Sequence, residues 1–188
     1  MFKTQDFIRM AAAVAGIALI FGAAPAVAAP AVRDGAHDFD FFFGAWHTHI
    51  TRVLDPFEGG KHTVTLDGTV TERKVWSGRA WLEEIEADGP DGHWEGMTLF
   101  LYNPQSGQWS QTYAGAADGQ LEPPSVGSFH DGVGELYGTD SDHGRQVLMR
   151  GTWSGISADA HDYTIAWSAD GGKTWVPVFI AHLTRLKS

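Results

Sequence analysis

The stretch VGELYGTDSDHGRQVLMRGTWSGISADAHDYTIAWSADGGKTWVPVFIAHLTRL, residues 133–186, decides the fold. It reads as four runs of alternating apolar and polar residues, at 133–139, 145–154, 161–168 and 175–186. Asp142-His143-Gly144 and Asp170-Gly171-Gly172 separate runs within it. Alternation with period two puts successive side chains on opposite faces of a strand, and Asp or Gly at the joints permits the positive φ of a tight hairpin. Neighbours in sequence are therefore neighbours in an antiparallel sheet.

The same grammar continues toward the N-terminus. Strands are predicted near 46–54, 62–76, 80–87, 93–102, 108–114 and 126–130, with Asn103-Pro104-Gln105-Ser106-Gly107 and His130-Asp131-Gly132 as further joints. No segment in this region keeps a helical period for three turns. A meander of about ten strands exposes two edges unless its first and last strands pair. The expected architecture is all-β, a single antiparallel up-and-down β-barrel. Asp118 to Ser125, containing Pro123-Pro124, is the one long irregular connection and a candidate lid or rim loop. Ahead of the strands, Asp38 can cap one turn through Phe39, Phe41, Phe42 and Phe43 before Gly44. So many phenylalanines need burial, and a short N-terminal helical plug beneath the closed end provides it.

Residues 1–28 have the layout of a secretory signal peptide. Lys3 and Arg9 precede an apolar run from Ala11 to Phe21, and Ala26-Val27-Ala28 forms the cleavage signal. Cleavage leaves 160 of the 188 residues, enough for one domain with a sizeable core. The expected organisation is a signal peptide at 1–28, a flexible segment at 29–37 and the barrel at 38–188, in a periplasmic or secreted protein. An uncleaved anchor is the competing reading, opposed by Pro25 and the small alanines around it. With no cysteine, neither disulfides nor a lipid-modified cysteine can contribute. The formal charge is −10, and becomes −11 once Lys3, Arg9 and Asp6 are removed, which disfavours nucleic acid as a partner. After cleavage no membrane association is expected.

Gly44-Ala45-Trp46, entering the first strand, resembles the Gly-x-Trp opening of lipocalins and other calycins. The resemblance implies that Trp46 packs beneath a cation from the last strand, and Arg185 stands where that partner should be. Such a cation over an indole contributes ~0.5–2 kcal/mol, a structural role for both residues. The layout is similar to the nitrobindin and fatty-acid-binding-protein branch and to exported bacterial calycins. Nitrobindins continue the Trp with a glycine-rich stretch near the haem. Here His47-Thr48-His49 follows instead.

Strand parity predicts the inward side chains. These are Trp46, Thr48, Ile50 and Arg52, then Trp81, Glu83 and Ile85, then Met97, Leu99 and Leu101, then Trp109, Gln111 and Tyr113. The later strands add Val147, Met149 and Trp153, then Tyr163, Ile165 and Trp167, then Phe179, Ala181 and Leu183. Polar groups in an apolar interior must find partners or cost ~1–3 kcal/mol. Arg52, Glu83, Gln111, Tyr113 and Tyr163, with Trp109 and Trp167, are therefore the candidate ligand-binding set, suited to a small hydrophobic or amphipathic molecule. The alternative is internal satisfaction, with Arg52 paired to Glu83 and water bridging the rest. Catalysis by cavity acids such as Glu83 is a further alternative, with no nucleophile elbow, phosphate loop or zinc-protease motif in the chain to favour it. A barrel that is merely core, on a surface or assembly protein, is another.

No cofactor is expected, and haem or a divalent metal are the exceptions considered. His47 and His49 project from one strand face and can bind a metal if His37, His62 or Asp40 supplies a third ligand, although parity points them outward. His182 in the last strand is the candidate haem ligand, and its parity also points outward. Ser168 to Trp175 resembles a single Asp-box, which a propeller would repeat in every blade. A hairpin turn whose Asp170 bonds its own backbone explains it better.

Overall fold

The computed structural model describes residues 33–187. The signal peptide expected at 1–28 lies outside the described residues. The described chain is a closed antiparallel barrel of ten strands. These are β1 (Gly44–Val53), β2 (Thr63–Val75), β3 (Ala80–Gly89), β4 (Gly92–Asn103), β5 (Gln108–Gly115), β6 (Ser125–His130), β7 (Val133–Asp142), β8 (Arg145–Ser154), β9 (Ala160–Ser168) and β10 (Val176–Arg185). Each strand pairs with the next, and β1 pairs with β10, so no sheet edge is left open. Among the described residues, helix is confined to the 3-10 turns Asp40–Phe42 and Trp76–Gly78. No helix there is long and apolar enough to cross a membrane.

The joints follow from residue chemistry. Asp131 and His143 adopt positive φ, as do the glycines after them, Gly132 and Gly144, which lets two-residue turns reverse the chain. In the last hairpin Asp170 accepts from the backbone N–H groups of Lys173 and Thr174 and from the Thr174 hydroxyl. The Asp-box-like sequence is thus a self-bonded turn.

Two apolar clusters divide the interior. At one end Phe39 and Phe42 sit among Trp81, Phe100, Trp109, Phe129, Leu136 and Trp153. The other cluster joins Trp46, Ile50, Val70, Ile85, Ala181 and Leu183, from β1, β2, β3 and β10. Trp46 pairs in register with Arg185, whose guanidinium lies 4.0 Å from the indole centroid. The same guanidinium donates to the carbonyls of Phe41, Phe43 and Ala158, and the Trp46 indole donates to Phe42 O at 2.7 Å. These bonds tie the phenylalanine turn to the barrel. Residues 33–37 are tied down as well, since Arg33 pairs with Asp38 and Gly35 bonds to both Tyr102 and Trp109.

One strand faces opposite to expectation. On β4 the inward residues include Thr98 and Phe100, each about 1% exposed, whereas Met97 is 41% exposed. Met97, Leu99 and Leu101 are therefore outward. Two local demands reverse the parity. Thr98 is needed inside to bond Glu83, and Gly96 makes room for a tyrosine ring.

Candidate functional site

A cavity of about 310 Å³ opens between the two clusters. It lies at the lower end of the ~300–1,000 Å³ range of small-molecule sites. Its floor is Phe42, Trp153 and His161, its walls include Ile85, Ile165, Phe179 and Leu183, and its rim includes Arg52, Glu122, Pro123 and Asp140. The segment from Asp118 to Ser125 thus contributes Glu122 and Pro123 to the mouth and Ser125 to the wall.

Two glycines shape the interior. A Cβ on Gly96 would stand 2.5 Å from the Tyr113 hydroxyl oxygen, and one on Gly151 would stand 2.9 Å from that of Tyr163. Each glycine leaves room for a tyrosine from the neighbouring strand to lie across the wall. Trp94 donates to the Tyr113 oxygen at 3.0 Å. Tyr163 stacks on Trp153 at 4.5 Å between centroids, and its hydroxyl meets the Gln111 amide at 3.2 Å. Ser125 donates to Gln111 Oε1, completing a polar band across the barrel. Burial raises the pKa of both tyrosines, so both hydroxyls keep their protons at neutral pH.

The acidic part of the site is a pair. Glu72 and Glu83 are register partners on β2 and β3, and both point inward. Thr98 Oγ1 donates to Glu83 Oε1 at 2.6 Å, while both Glu72 oxygens are buried without a partner. Burial, reinforced by the facing Glu83, raises the pKa of Glu72 well above the usual carboxylate value, and burial raises that of Glu83. Two carboxyls in such proximity retain a proton between them, since both cannot ionise cheaply in a low dielectric. His161, 2% exposed, lines the floor with its Nδ1 unpartnered. Its pKa is lowered to about 4 by desolvation, so the imidazole is neutral.

The sequence-derived set divides on this geometry. Arg52, Glu83, Gln111, Tyr113 and Tyr163 line the cavity. Trp109 does not. It is fully buried in the basal cluster and its indole donates to Gly35 O at 2.9 Å. Trp167 is also absent from the wall, because its indole is drawn to the rim carboxylate Asp140 at 3.0 Å. Arg52 cannot neutralise Glu83. Glu72 sits level with Gly44 in the β1–β2 register, so the carboxyl pair is eight residues of strand from Arg52, on the order of 26 Å at ~3.3 Å per residue.

The histidine candidates lie outside the barrel wall. His182 is 61% exposed and its Nδ1 bonds Asp162 at 2.6 Å, so it cannot serve as a haem ligand in the cavity. His47 and His49 both face Asp67, at 3.8 and 2.8 Å. The third ligand considered for them is engaged elsewhere, since His37 bonds Asp40 and His62 bonds Asp55. Among the described residues no group of three or more side chains is arranged to hold a metal ion. Glu72, Trp94, Thr98, Ser125, Asp140 and His161 are among the site residues that sequence reading missed. His161 shares the parity of Tyr163, and that signal was available.

No protein-family model matches the chain, and no curated protein matches it. Solved structures do. The S-type phycobiliprotein lyase CPES from Guillardia theta superposes with a TM-score of 0.54 at 10% identity, covering 80% of this chain and 91% of the lyase. EF1p2_mFAP2b bound to DFHBI has a TM-score of 0.45 at 10% identity, over 81% of this chain and 99% of that one. A redesigned β-barrel, b11L5F_LGL, has a TM-score of 0.43 at 13% identity, over 82% and 96% respectively. Likeness at such low identity bears on the fold alone. It is that of a small β-barrel.

Proposed function

We propose that this chain is an exported barrel of the calycin type that holds a hydrophobic or amphipathic small molecule non-covalently. The observation that carries the reading is the cavity of about 310 Å³, with apolar walls and a few converging polar groups, Tyr113, Tyr163, Gln111 and Glu83. A barrel serving only as a core would fill this space with side chains, since interiors pack to crystal-like density. The calycin assignment is supported by Gly44-Ala45-Trp46 and the Trp46 to Arg185 contact, with the Phe39 to Phe43 segment acting as the plug of the closed end. Export is supported by the signal-peptide layout of residues 1–28. Neither haem nor a divalent metal enters this reading, because His182, His47 and His49 face away from the cavity.

The Glu72 and Glu83 pair favours a second reading, in which the cavity performs acid or base chemistry on a small organic molecule. Binding is preferred because Glu72, the group that faces Glu83, does not itself line the cavity. Titration with N-phenyl-1-naphthylamine, an apolar fluorophore uncharged at neutral pH, tests the binding reading. Saturable fluorescence enhancement at one probe per chain is expected. Its absence contradicts the reading.

A further inference from the structure

The charge of the cavity is unbalanced. Glu83, Glu122 and Asp140 line it, and Glu72 lies across the strand pair from Glu83. Among the described residues the lone cationic side chain in its wall is Arg52, exposed at the rim and far along the strand from Glu83. The imidazole on the floor is neutral. The deep end of the cavity therefore holds acidic groups with no protein cation beside them.

Two further polar groups lining the same space are buried and unsatisfied. Thr48 Oγ1 has no partner and Thr48 is 0% exposed, and His161 Nδ1 is equally without one. An unmade hydrogen bond in a buried site costs free energy that a ligand or ordered water can recover. The surrounding walls are aromatic. Trp94 and Phe179 approach edge-to-face at 6.4 Å between centroids, and Tyr163 lies between Trp153 and Phe179. Aromatic faces attract a desolvated cation, and a buried carboxylate is stabilised by one. An anionic ligand head would meet like charge at Glu83 and again at the rim carboxylates Glu122 and Asp140.

We infer that the cavity takes an amphipathic organic cation, an amine with an apolar body, with its ammonium directed to Glu83 and its body against Trp94, Trp153, Tyr163 and Phe179. The cavity discriminates against a carboxylate of the same shape. This inference rests on the small-molecule-binding reading above and supplies its ligand class.

The experiment is competition of decylamine, decanol and decanoate against bound N-phenyl-1-naphthylamine at neutral pH and at concentrations below micelle formation. Decylamine is expected to displace the probe at a concentration about tenfold below that of decanol, with decanoate weakest. Glu83→Gln is expected to abolish the advantage of decylamine over decanol, read as the ratio of their competing concentrations in the same variant. Decanoate competing as well as decylamine overturns the inference and leaves the binding reading standing. Equal competition by decylamine and decanol overturns it in the same way, and needs no variant that folds. Failure of the probe to bind overturns the binding reading and this inference with it.

Discussion

The Arg185 guanidinium lies 4.0 Å from the Trp46 ring centroid and simultaneously donates to three carbonyls, those of Phe41, Phe43 and Ala158. One side chain thereby joins the last strand, the first strand and the phenylalanine turn. Arg185→Ala orphans those carbonyls as well as the indole face. It is expected to lower stability by about 3 kcal/mol or more, measured by urea denaturation. Arg185→Lys should recover only part of this, because an ammonium lacks the planar fork that reaches several acceptors.

Glu72→Gln should stabilise the protein at alkaline pH. In the unfolded chain Glu72 ionises near 4.5, whereas burial and Glu83 hold its folded pKa well above that. Across the interval between them the folded state keeps a proton that the unfolded state has released, so stability falls as pH rises. The amide cannot ionise and can donate to Glu83. A gain of roughly 1–3 kcal/mol at pH ~8, fading toward pH ~4, is expected in denaturation curves.

The sign is reversed in origin for His161, and its effect appears on the acid side. Its folded pKa of about 4 lies below the ordinary 6.5. As pH falls through that window the unfolded state takes up a proton that the folded state refuses, and stability is lost. The gap corresponds to roughly 3 kcal/mol by pH ~4. His161→Phe, packed against Phe41, Phe42 and Trp46, should flatten this part of the stability profile. An unaltered acid limb would show that other groups set it.

Ala181 lies in the cavity wall with 3% of its surface exposed. Ala181→Phe adds a ring to the empty space. It should weaken N-phenyl-1-naphthylamine binding by about tenfold or more, while overpacking costs ~1–3 kcal/mol and leaves the β-rich circular dichroism spectrum in place. Undiminished binding would locate the probe elsewhere.

The barrel was legible because its signals are local. Asp131-Gly132, His143-Gly144 and Asp170-Gly171-Gly172 fix reversals wherever the rest of the chain lies, and alternation fixes faces on the strands whose inner side is plainly apolar. β4 was misread for a physical reason. A cavity wall needs Thr98 to satisfy Glu83 and Gly96 to admit Tyr113, so its inner face is less apolar than its outer face of Met97, Leu99 and Leu101. Glu72 lay in the charged run Glu72-Arg73-Lys74, and only its register with Glu83 reveals it as inward. Trp109 and Trp167 have the inward parity, but parity does not specify depth. One reaches the basal cluster and the other the rim.

Whether the cavity holds a small molecule is decided by native mass spectrometry on the protein purified from cells carrying the full gene, before and after adding N-phenyl-1-naphthylamine. Either a co-purifying small-molecule mass that is lost on denaturation or a bare chain that takes up one probe molecule is expected. A bare chain that remains bare in the presence of the probe would mean that the barrel holds no small molecule.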